Sequence, residues 1–319
     1  MYRYRGGSSL GTWLGCVDAL LRGIAQVMLQ NNRYCGLLLL LGLWVNSALF
    51  AVAALLGTLV STVCAFWLGA ERSEIRDGLH GYNGTLVAIA LVTFLQPTAL
   101  TWGLVVLACA LVSVVTLAGQ AALQPWRLPV LTAPFVLVTL MLVLAIARLG
   151  HLPATHSLPM ATLPVTATVG DVAGGMVAAA TLWQGLLNGV AQIFLQENPL
   201  TGALFLLALL VSSRRAALAA AGGALLGLLL AWLLGGAEDA LRAGTYGFNS
   251  ALVALALEGA LPARHEVVWL ILAGLMAVLA FAALATALAT FGVPALTLPF
   301  VLVVWLFLLA ARQLPASRT

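Results

Sequence analysis

The chain has 319 residues, of which 63% are hydrophobic and only 8% are charged, and its mean hydropathy is +1.09. A soluble domain of this length needs far more charge to cover its surface, so the composition excludes a soluble globular protein and predicts a polytopic helical membrane protein. The net charge is +4, but no basic cluster with interleaved aromatic residues occurs, so nucleic acid is not expected as a partner.

The first half contains five apolar segments that are predicted to be helical: Leu10–Gln30, Gly36–Ala70, Tyr82–Leu95, Thr98–Ala118 and Leu131–Ala147. A break is expected at residues 45–47, and a mixed-charge loop at Glu71–Asp77. A helix needs about 20 residues to cross the hydrocarbon core. Pieces such as Gly36–Trp44 and Val87–Leu95 are shorter, which predicts broken or re-entrant helices.

The second half repeats this plan with six apolar segments: Thr181–Gln196, Gly202–Val211, Ala216–Gly235, Phe248–Leu257, Val267–Thr290 and Pro294–Ala311. Three blocks match between the halves in the same order. Leu20–Gly36 returns as Leu186–Gly202, Gly78–Leu91 as Gly244–Leu257, and Leu128–Thr139 as Val293–Val304. We interpret this as an internal duplication: residues 1–150 form the first repeat, 151–170 a linker and 171–319 the second repeat, together one membrane domain.

The arginines test the topology. The positive-inside rule places most basic residues on the cytoplasmic side of a membrane. With a cytoplasmic N-terminus and five crossings per half, ten arginines lie on that side: Arg3, Arg5, Arg72, Arg76, Arg127, Arg214, Arg215, Arg264, Arg312 and Arg318. Only Arg148 and Arg242 fall outside, while Arg22 and Arg33 sit on or beside the re-entrant region. An odd number of crossings inverts the second half. The predicted fold is therefore an all-α polytopic membrane protein of two inverted repeats, each with five transmembrane helices plus one re-entrant helix, and with both termini in the cytoplasm.

Paired polar residues are the candidates for function. Thr132 and Thr297 are flanked by Pro129/Pro294 and Pro134/Pro299, which predicts partly unwound backbone around each hydroxyl. Gln26 and Gln192 place an uncharged amide in each matched apolar run. Both pairs are interpreted as lining a pore at the interface between the repeats. The alternatives are simple proline kinks and interhelical amide bridges.

Apolar side chains near these positions are candidates for the walls of a narrow slot: Leu29, Leu195, Tyr82, Phe248, Leu86 and Leu252. On its own, this pattern is more often helix–helix packing. Asn83 and Asn249 follow a glycine and an aromatic residue, and are expected to cap the starts of their own helices.

No enzyme signature occurs in the sequence. The histidines lack matching carboxylates, and metal-binding, nucleophile and phosphate-loop motifs are missing, so no catalytic residue, metal site or cofactor is predicted.

The cysteines Cys16, Cys35, Cys64 and Cys109 are scattered in apolar runs and are expected to be small core residues. Few acids lie within the membrane segments, which favours a passive route over an ion-coupled carrier.

The motifs GIAQVMLQNN and GVAQIFLQENPLTG, GYNGTL and GFNSAL, and LPVLTAPF and VPALTLPF resemble those of the urea transporter family. The resemblance implies ten transmembrane helices and two re-entrant helices. It also implies one pore per protomer, homotrimers, and urea moving down its gradient. It places the polar ladder on Gln26, Gln192, Thr132 and Thr297, and the slot walls on the six apolar residues above. At the position of Leu29 the family often has an aromatic residue, and the second repeat begins VPALT where the family has LPxxT. These two differences bear on the width of the slot and so on the choice among urea analogues.

The expected function is a passive, channel-like route for urea and close analogues across a bacterial-type inner (plasma) membrane, with lipid around a homotrimer. One alternative is a channel for another small neutral solute, namely ammonia, short amides or water. A second is a membrane-embedded enzyme or scaffold, for which Gln26→Leu or Thr132→Val would leave solute flux unchanged.

Overall fold

The structure is a computed structural model that describes residues 9–146, 148–164, 179–261 and 266–313. Its first half contains α1 (Ser9–Ala25), α2 (Arg33–Asn46), α3 (Ala48–Trp67), α4 (Arg72–Arg76), α5 (Tyr82–Phe94), α6 (Ala99–Leu123) and α7 (Ala133–Ile146). Its second half contains α8 (Ala179–Ala191), α9 (Pro199–Ser212), α10 (Arg214–Leu233), α11 (Glu238–Arg242), α12 (Phe248–Leu257), α13 (Glu266–Ala289) and α14 (Leu298–Ala311). Short 3-10 turns follow three of these helices, at Gln26–Met28, Gln124–Trp126 and Gln192–Phe194.

The predicted all-helical character is confirmed, and the order of elements repeats between the halves. The segment Phe248–Leu257 matches α12 residue for residue. The expected loop Glu71–Asp77 instead contains the short helix α4, and α11 occupies the matching place in the second half. Arg3, Arg5, Arg264 and Arg318, and the end of the expected linker, lie outside the described residues.

The break expected at residues 45–47 is confirmed, and it is made by serine. Ser47 adopts an extended backbone between α2 and α3, and its hydroxyl accepts a hydrogen bond from the amide of Leu49 at 3.2 Å. Ser213 does the same between α9 and α10, accepting from Ala216 at 3.2 Å. A serine side chain satisfies an amide that the new helix leaves free. One residue therefore ends one helix and starts the next in each half.

The two leading helices of each half pack backbone against backbone. A Cβ atom added at Gly36 would collide with the carbonyl oxygen of Leu21, and one added at Gly202 would collide with that of Leu187. In the second half, Ala179–Phe194 and Pro199–Ser212 are together long and apolar enough to cross a membrane, and they bend by 73° at their break. This geometry fits either a broken span or a re-entrant loop.

Helices α5 and α12 form the centre of each half. Almost all of their residues are buried, which is typical of a helix that is apolar all round. With 13 and 10 residues they are roughly 20 and 15 Å long, too short to cross about 30 Å of hydrocarbon alone. By length and composition, four helices of the described chain can cross: α3, α6 with its following turn, α10 and α13. Any further crossings use the bent pair and shorter helices joined to non-helical backbone.

Contacts at the helix ends define two opposite ends of the molecule. At one end, the connection after α7 bonds to the C-terminal ends of α5 and α13: the amide of Gln96 donates to Pro153 at 2.9 Å, and that of Thr162 donates to Ala289 at 3.0 Å. At the other end, the Arg312 guanidinium donates to the carbonyl groups of Trp126 and Arg127.

Helices α7 and α14, which carry matched sequences, consequently run in opposite directions. Helix α7 and helix α14 start beside each other, where the hydroxyls of Thr132 and Thr297 meet; α7 ends at the connection between the halves, whereas α14 ends at Arg312, at the opposite end. The indole nitrogen of Trp305, within α14, also donates to the carbonyl of Pro129 at 2.8 Å. The same motif therefore meets itself in antiparallel orientation.

Candidate functional site

The hydroxyl oxygens of Thr132 and Thr297 lie 2.6 Å apart, in a hydrogen bond between the two halves. Both residues are only 3% exposed. The unwound backbone predicted from the prolines is confirmed, because α7 and α14 begin just after these threonines. The preceding Leu131 and Leu296 have φ of 50° and 49°, in the left-handed region.

Asn83 and Asn249 hold this unwound backbone in place. Asn83 donates to the carbonyl of Leu131 at 3.3 Å and accepts from the amide of Phe135 at 3.2 Å. Asn249 makes the same pair of bonds, to Leu296 at 3.3 Å and from Phe300 at 3.1 Å. The leucine carbonyl and the phenylalanine backbone N–H lie at the start of each helix, where backbone groups lack helical partners. One asparagine side chain satisfies both groups.

The expectation that these asparagines cap their own helices is wrong. Gly81 and Gly247 occupy the cap positions of α5 and α12, with no side-chain hydrogen bond. The side chains of Asn83 and Asn249 point instead to the starts of α7 and α14, because the left-handed leucines leave unpaired groups there. Sequence reasoning missed this role, although the repetition of both asparagines was a signal for it.

The two halves differ at one hydroxyl. Tyr82 donates its phenolic O–H to the carbonyl of Leu131 at 2.7 Å, so this carbonyl accepts two hydrogen bonds. The matching residue, Phe248, has no hydroxyl, and within the described residues the carbonyl of Leu296 accepts a side-chain bond from Asn249 alone. Tyr82 and Phe248 are 8% and 9% exposed.

Gln26 and Gln192 begin the 3-10 turns that follow α1 and α8. The Gln26 amide nitrogen donates to the carbonyl of Asp77 at 2.9 Å, and that of Gln192 donates to Ala243 at 3.1 Å. A backbone carbonyl only accepts hydrogen bonds, so each contact fixes which end of the amide is the nitrogen. Within the described part of the chain, neither glutamine oxygen accepts a bond from the protein. Each half thus presents one uncommitted, uncharged acceptor.

The apolar candidates lie around these polar groups. Leu86 and Leu252 are 1% exposed within α5 and α12. Leu29 and Leu195, which close the two 3-10 turns, are partly buried and have φ of 59° and 56°. The two turns also contact each other across the halves. The threonine pair and the two turns therefore meet across the halves, whereas α5 and α12 carry the other apolar candidates against the turn and the helix start of their own half.

In the part of the chain that the structure describes, a cluster of charged side chains flanks the first of the two turns, and the second turn has no matching cluster. The Arg22 guanidinium contacts Asp18 at 2.7 Å and the side chain of Asn31 at 2.5 Å, and Arg33 lies 3.5 Å from Asp18. The position matching Arg22 is the neutral Asn188, which donates to the carbonyl of Arg242 at 2.8 Å. None of the ten candidate residues is acidic or basic. Within the described residues, no group of three or more metal-ligating side chains occurs.

An apolar helical bundle whose halves meet at buried hydroxyls and free amide oxygens, without charge, has the organisation of a membrane transport protein for a neutral polar solute. A family model described as urea transporter matches residues 17–312. The chain belongs to the urea transporter family.

Curated relatives agree with this assignment. The chain is 35% identical to urea transporter 1 of Ovis aries over 309 residues, covering 94% of this chain and 78% of the relative. It is similarly related to urea transporter 1 of Rattus norvegicus, at 35% identity over 308 residues, with the same coverage of the two chains. The similarity thus spans both halves, including all ten candidate residues.

Proposed function

We propose that this protein is a passive, channel-like route for urea, and that urea passes between the two halves along Gln26, the threonine pair and Gln192. The observation that carries this proposal is the contact between Thr132 and Thr297. It places two hydroxyls, one from each half, at a buried point where the matched helices α7 and α14 begin.

The chemistry of these groups suits urea. Urea is flat and neutral, with four N–H donors and one acceptor. The free oxygens of Gln26 and Gln192 accept N–H groups, and the threonine hydroxyls both accept and donate. Each group replaces a water partner as the solute advances, which keeps the cost of leaving water low.

The threonine pair also sets a condition for passage. A solute between the hydroxyls must replace their mutual hydrogen bond with bonds to itself. Such an exchange costs little, because a net hydrogen bond is worth about 1 kcal/mol. Weak binding of this kind allows the solute to leave again.

The apolar residues explain the exclusion of ions. Phe248, Leu86 and Leu252 have no polar group that could replace the water around a charge, and the Tyr82 hydroxyl already donates to the carbonyl of Leu131. An ion without its water shell pays a large desolvation penalty in such surroundings. Because none of the ten candidate residues carries a charge, the proposal includes neither ion coupling nor enzymatic chemistry.

The antiparallel course of α7 and α14 supports inverted repeats. We include in the proposal ten crossings, two re-entrant helices and both termini in the cytoplasm. The antiparallel course also supports the sidedness of the arginines, since Arg127 and Arg312 share one end of the molecule whereas Arg148 follows α7 at the other end.

We extend the proposal to a homotrimer in the inner membrane, each protomer with its own pore and surrounded by lipid. Many large apolar side chains on the outward faces suit such contacts, for example Trp67, Leu218 and Leu233.

The test is urea flux into proteoliposomes, followed by light scattering after an osmotic step with urea. The proposal expects faster recovery of volume than in protein-free liposomes, and slower recovery with the Thr132→Val/Thr297→Val protein. Parallel steps with formamide and ammonia, together with water permeability, separate urea from the alternative solutes. Recovery at the protein-free rate would disprove the proposal.

A further inference from the structure

Asn46, the last residue of α2, reaches from the first half into the second. Its amide nitrogen donates to the side-chain oxygen of Gln196 at 2.6 Å, and its oxygen accepts from the side-chain nitrogen of Asn198 at 3.1 Å. One turn earlier on α2, the carbonyl of Gly42 accepts from the Thr201 hydroxyl at 3.0 Å. Helix α2 thus bonds to the segment that joins α8 to α9 and to the first turn of α9.

The contact continues from Gln196 to the candidate solute pathway. The Gln196 amide nitrogen donates to the carbonyl of Phe194 at 2.7 Å. Phe194 ends the 3-10 turn that begins with Gln192, and the next residue, Leu195, has a left-handed backbone. A leucine in that conformation is strained and needs support from its surroundings. A chain of hydrogen bonds therefore runs from Asn46 to the turn that carries Gln192 and Leu195.

Among the described residues, no side chain of the second half gives the matching turn of the first half this support. Gln30 makes the local bond, donating to the carbonyl of Met28 at 3.1 Å, but it is partly exposed, whereas Gln196 is fully buried. The residue that matches Asn46 is Ser212, whose side chain makes no hydrogen bond within the described residues. The two turns have almost the same backbone but unequal support, so the duplication is asymmetric at this point.

We propose that Asn46 is a positioning residue: acting through Gln196, it fixes Gln192 and Leu195 and so sets the size limit for solutes at the second-half end of the passage. This inference rests on the proposed function. Without the bond from Asn46, the Gln196 side chain is free to leave the carbonyl of Phe194. The strained turn then relaxes, and Leu195 no longer holds a fixed distance from the opposite wall.

The test compares the permeability of proteoliposomes to N-methylurea and to urea, and uses the ratio of the two. Asn46→Ala should raise this ratio about fivefold, the factor that corresponds to about 1 kcal/mol for one net hydrogen bond. Ser212→Ala, at the matching position, is the control and should leave the ratio unchanged. A purely structural loss would lower both permeabilities together and would not move the ratio.

The route through Gln196 is tested by a double variant. Gln196→Ala alone should raise the ratio as Asn46→Ala does, and the two together should raise it no further, because both break the same connection. Multiplication of the two effects in the double variant would overturn the proposed route.

Two measurements distinguish failure of the proposed function from failure of the role given to Asn46. Absence of urea flux in the wild-type protein would refute the proposed function itself. Normal wild-type flux with an unchanged ratio in Asn46→Ala would refute the role of Asn46. If Asn46→Ala does not fold, Asn46→Asp serves instead: it keeps the oxygen that faces Asn198 but lacks the donor to Gln196. The same rise in ratio is expected, and an unchanged ratio would again refute the inference.

Discussion

Thr132 and Thr297 are 165 residues apart in the chain, yet their hydroxyl oxygens lie 2.6 Å from each other. Each threonine follows a leucine with a left-handed backbone and precedes the first turn of a helix. The contact joins the two copies of one motif and marks the point on the proposed passage where a solute must replace a hydrogen bond between the halves. It is therefore the first place to test.

Replacing Thr132 by valine keeps the shape of the side chain and removes its hydroxyl. Thr132→Val should lower urea flux about tenfold, because the solute loses a hydrogen-bonding partner and Thr297 keeps an unsatisfied buried hydroxyl. Stopped-flow light scattering on proteoliposomes measures this change. The matched control is Thr139→Val on α7, since Thr139 is fully buried and its hydroxyl has no partner within the described residues. Equal loss of flux in both variants would contradict the assignment.

The free oxygens of Gln26 and Gln192 should matter in the same assay. Gln26→Leu and Gln192→Leu remove an acceptor for urea and leave the carbonyls of Asp77 and Ala243 without their donors. We expect each change to reduce urea flux about fivefold to tenfold. Gln120→Leu on α6, outside the candidate site, controls for the loss of a membrane glutamine. Wild-type flux in both site variants would show that these amides only join helices.

The Tyr82 hydroxyl should contribute to stability more than to transport. Tyr82→Phe leaves Asn83 as the side-chain donor to Leu131, which is the arrangement already present at Phe248. The expected loss is about 1 kcal/mol in the free energy of unfolding, whereas Asn83→Leu should cost about 3 kcal/mol because two buried bonds disappear. Thermal unfolding of the solubilised protein ranks the two variants. A larger shift for Tyr82→Phe would contradict the role given to Asn83.

Gly202 should tolerate no side chain. In Gly202→Ala, the added Cβ meets the carbonyl oxygen of Leu187 in α8, so the two helices must separate. We expect a large drop in the yield of monodisperse protein on size-exclusion chromatography. Gly222→Ala is the control, since an added Cβ there meets nothing within 4 Å. Similar yields for both variants would show that the close approach of α8 and α9 is dispensable.

Labelling of cysteines tests the sidedness. Arg215 lies in the first turn of α10 and Asp239 lies in α11, which follows the other end of α10; both are exposed. In a Cys16→Ser background, a membrane-impermeant maleimide should label Asp239→Cys in intact bacterial cells. It should label Arg215→Cys only after the membrane is opened. The reverse pattern would invert the proposed topology, and labelling of both from outside would show that α10 does not cross.

Composition and the repeated blocks predicted much of this fold. Apolar runs long enough to be helices are visible in a single sequence, and the serine break between α2 and α3 follows from local chemistry. The prolines around Thr132 likewise predict unwound backbone, because they act on their own neighbours. These features depend on residues close in the chain.

Long-range bonds could not be predicted in the same way. The bond from Asn83 to Leu131 joins residues 48 positions apart, and that from Asn46 to Gln196 joins residues 150 positions apart. Which partner an amide side chain finds depends on packing that is fixed only when the whole bundle has formed. The short helices α4 and α11 were missed for a different reason, since five residues are too few to show a periodic pattern.

The contact of Arg312 with Trp126 and Arg127 bears on how the protein is made. Synthesis runs from the N-terminus, so the ribosome completes the first half long before it reaches this arginine. The two carbonyl groups cannot bond to Arg312 until α14 has been inserted. Closure of this end of the molecule consequently follows the insertion of helices from both halves.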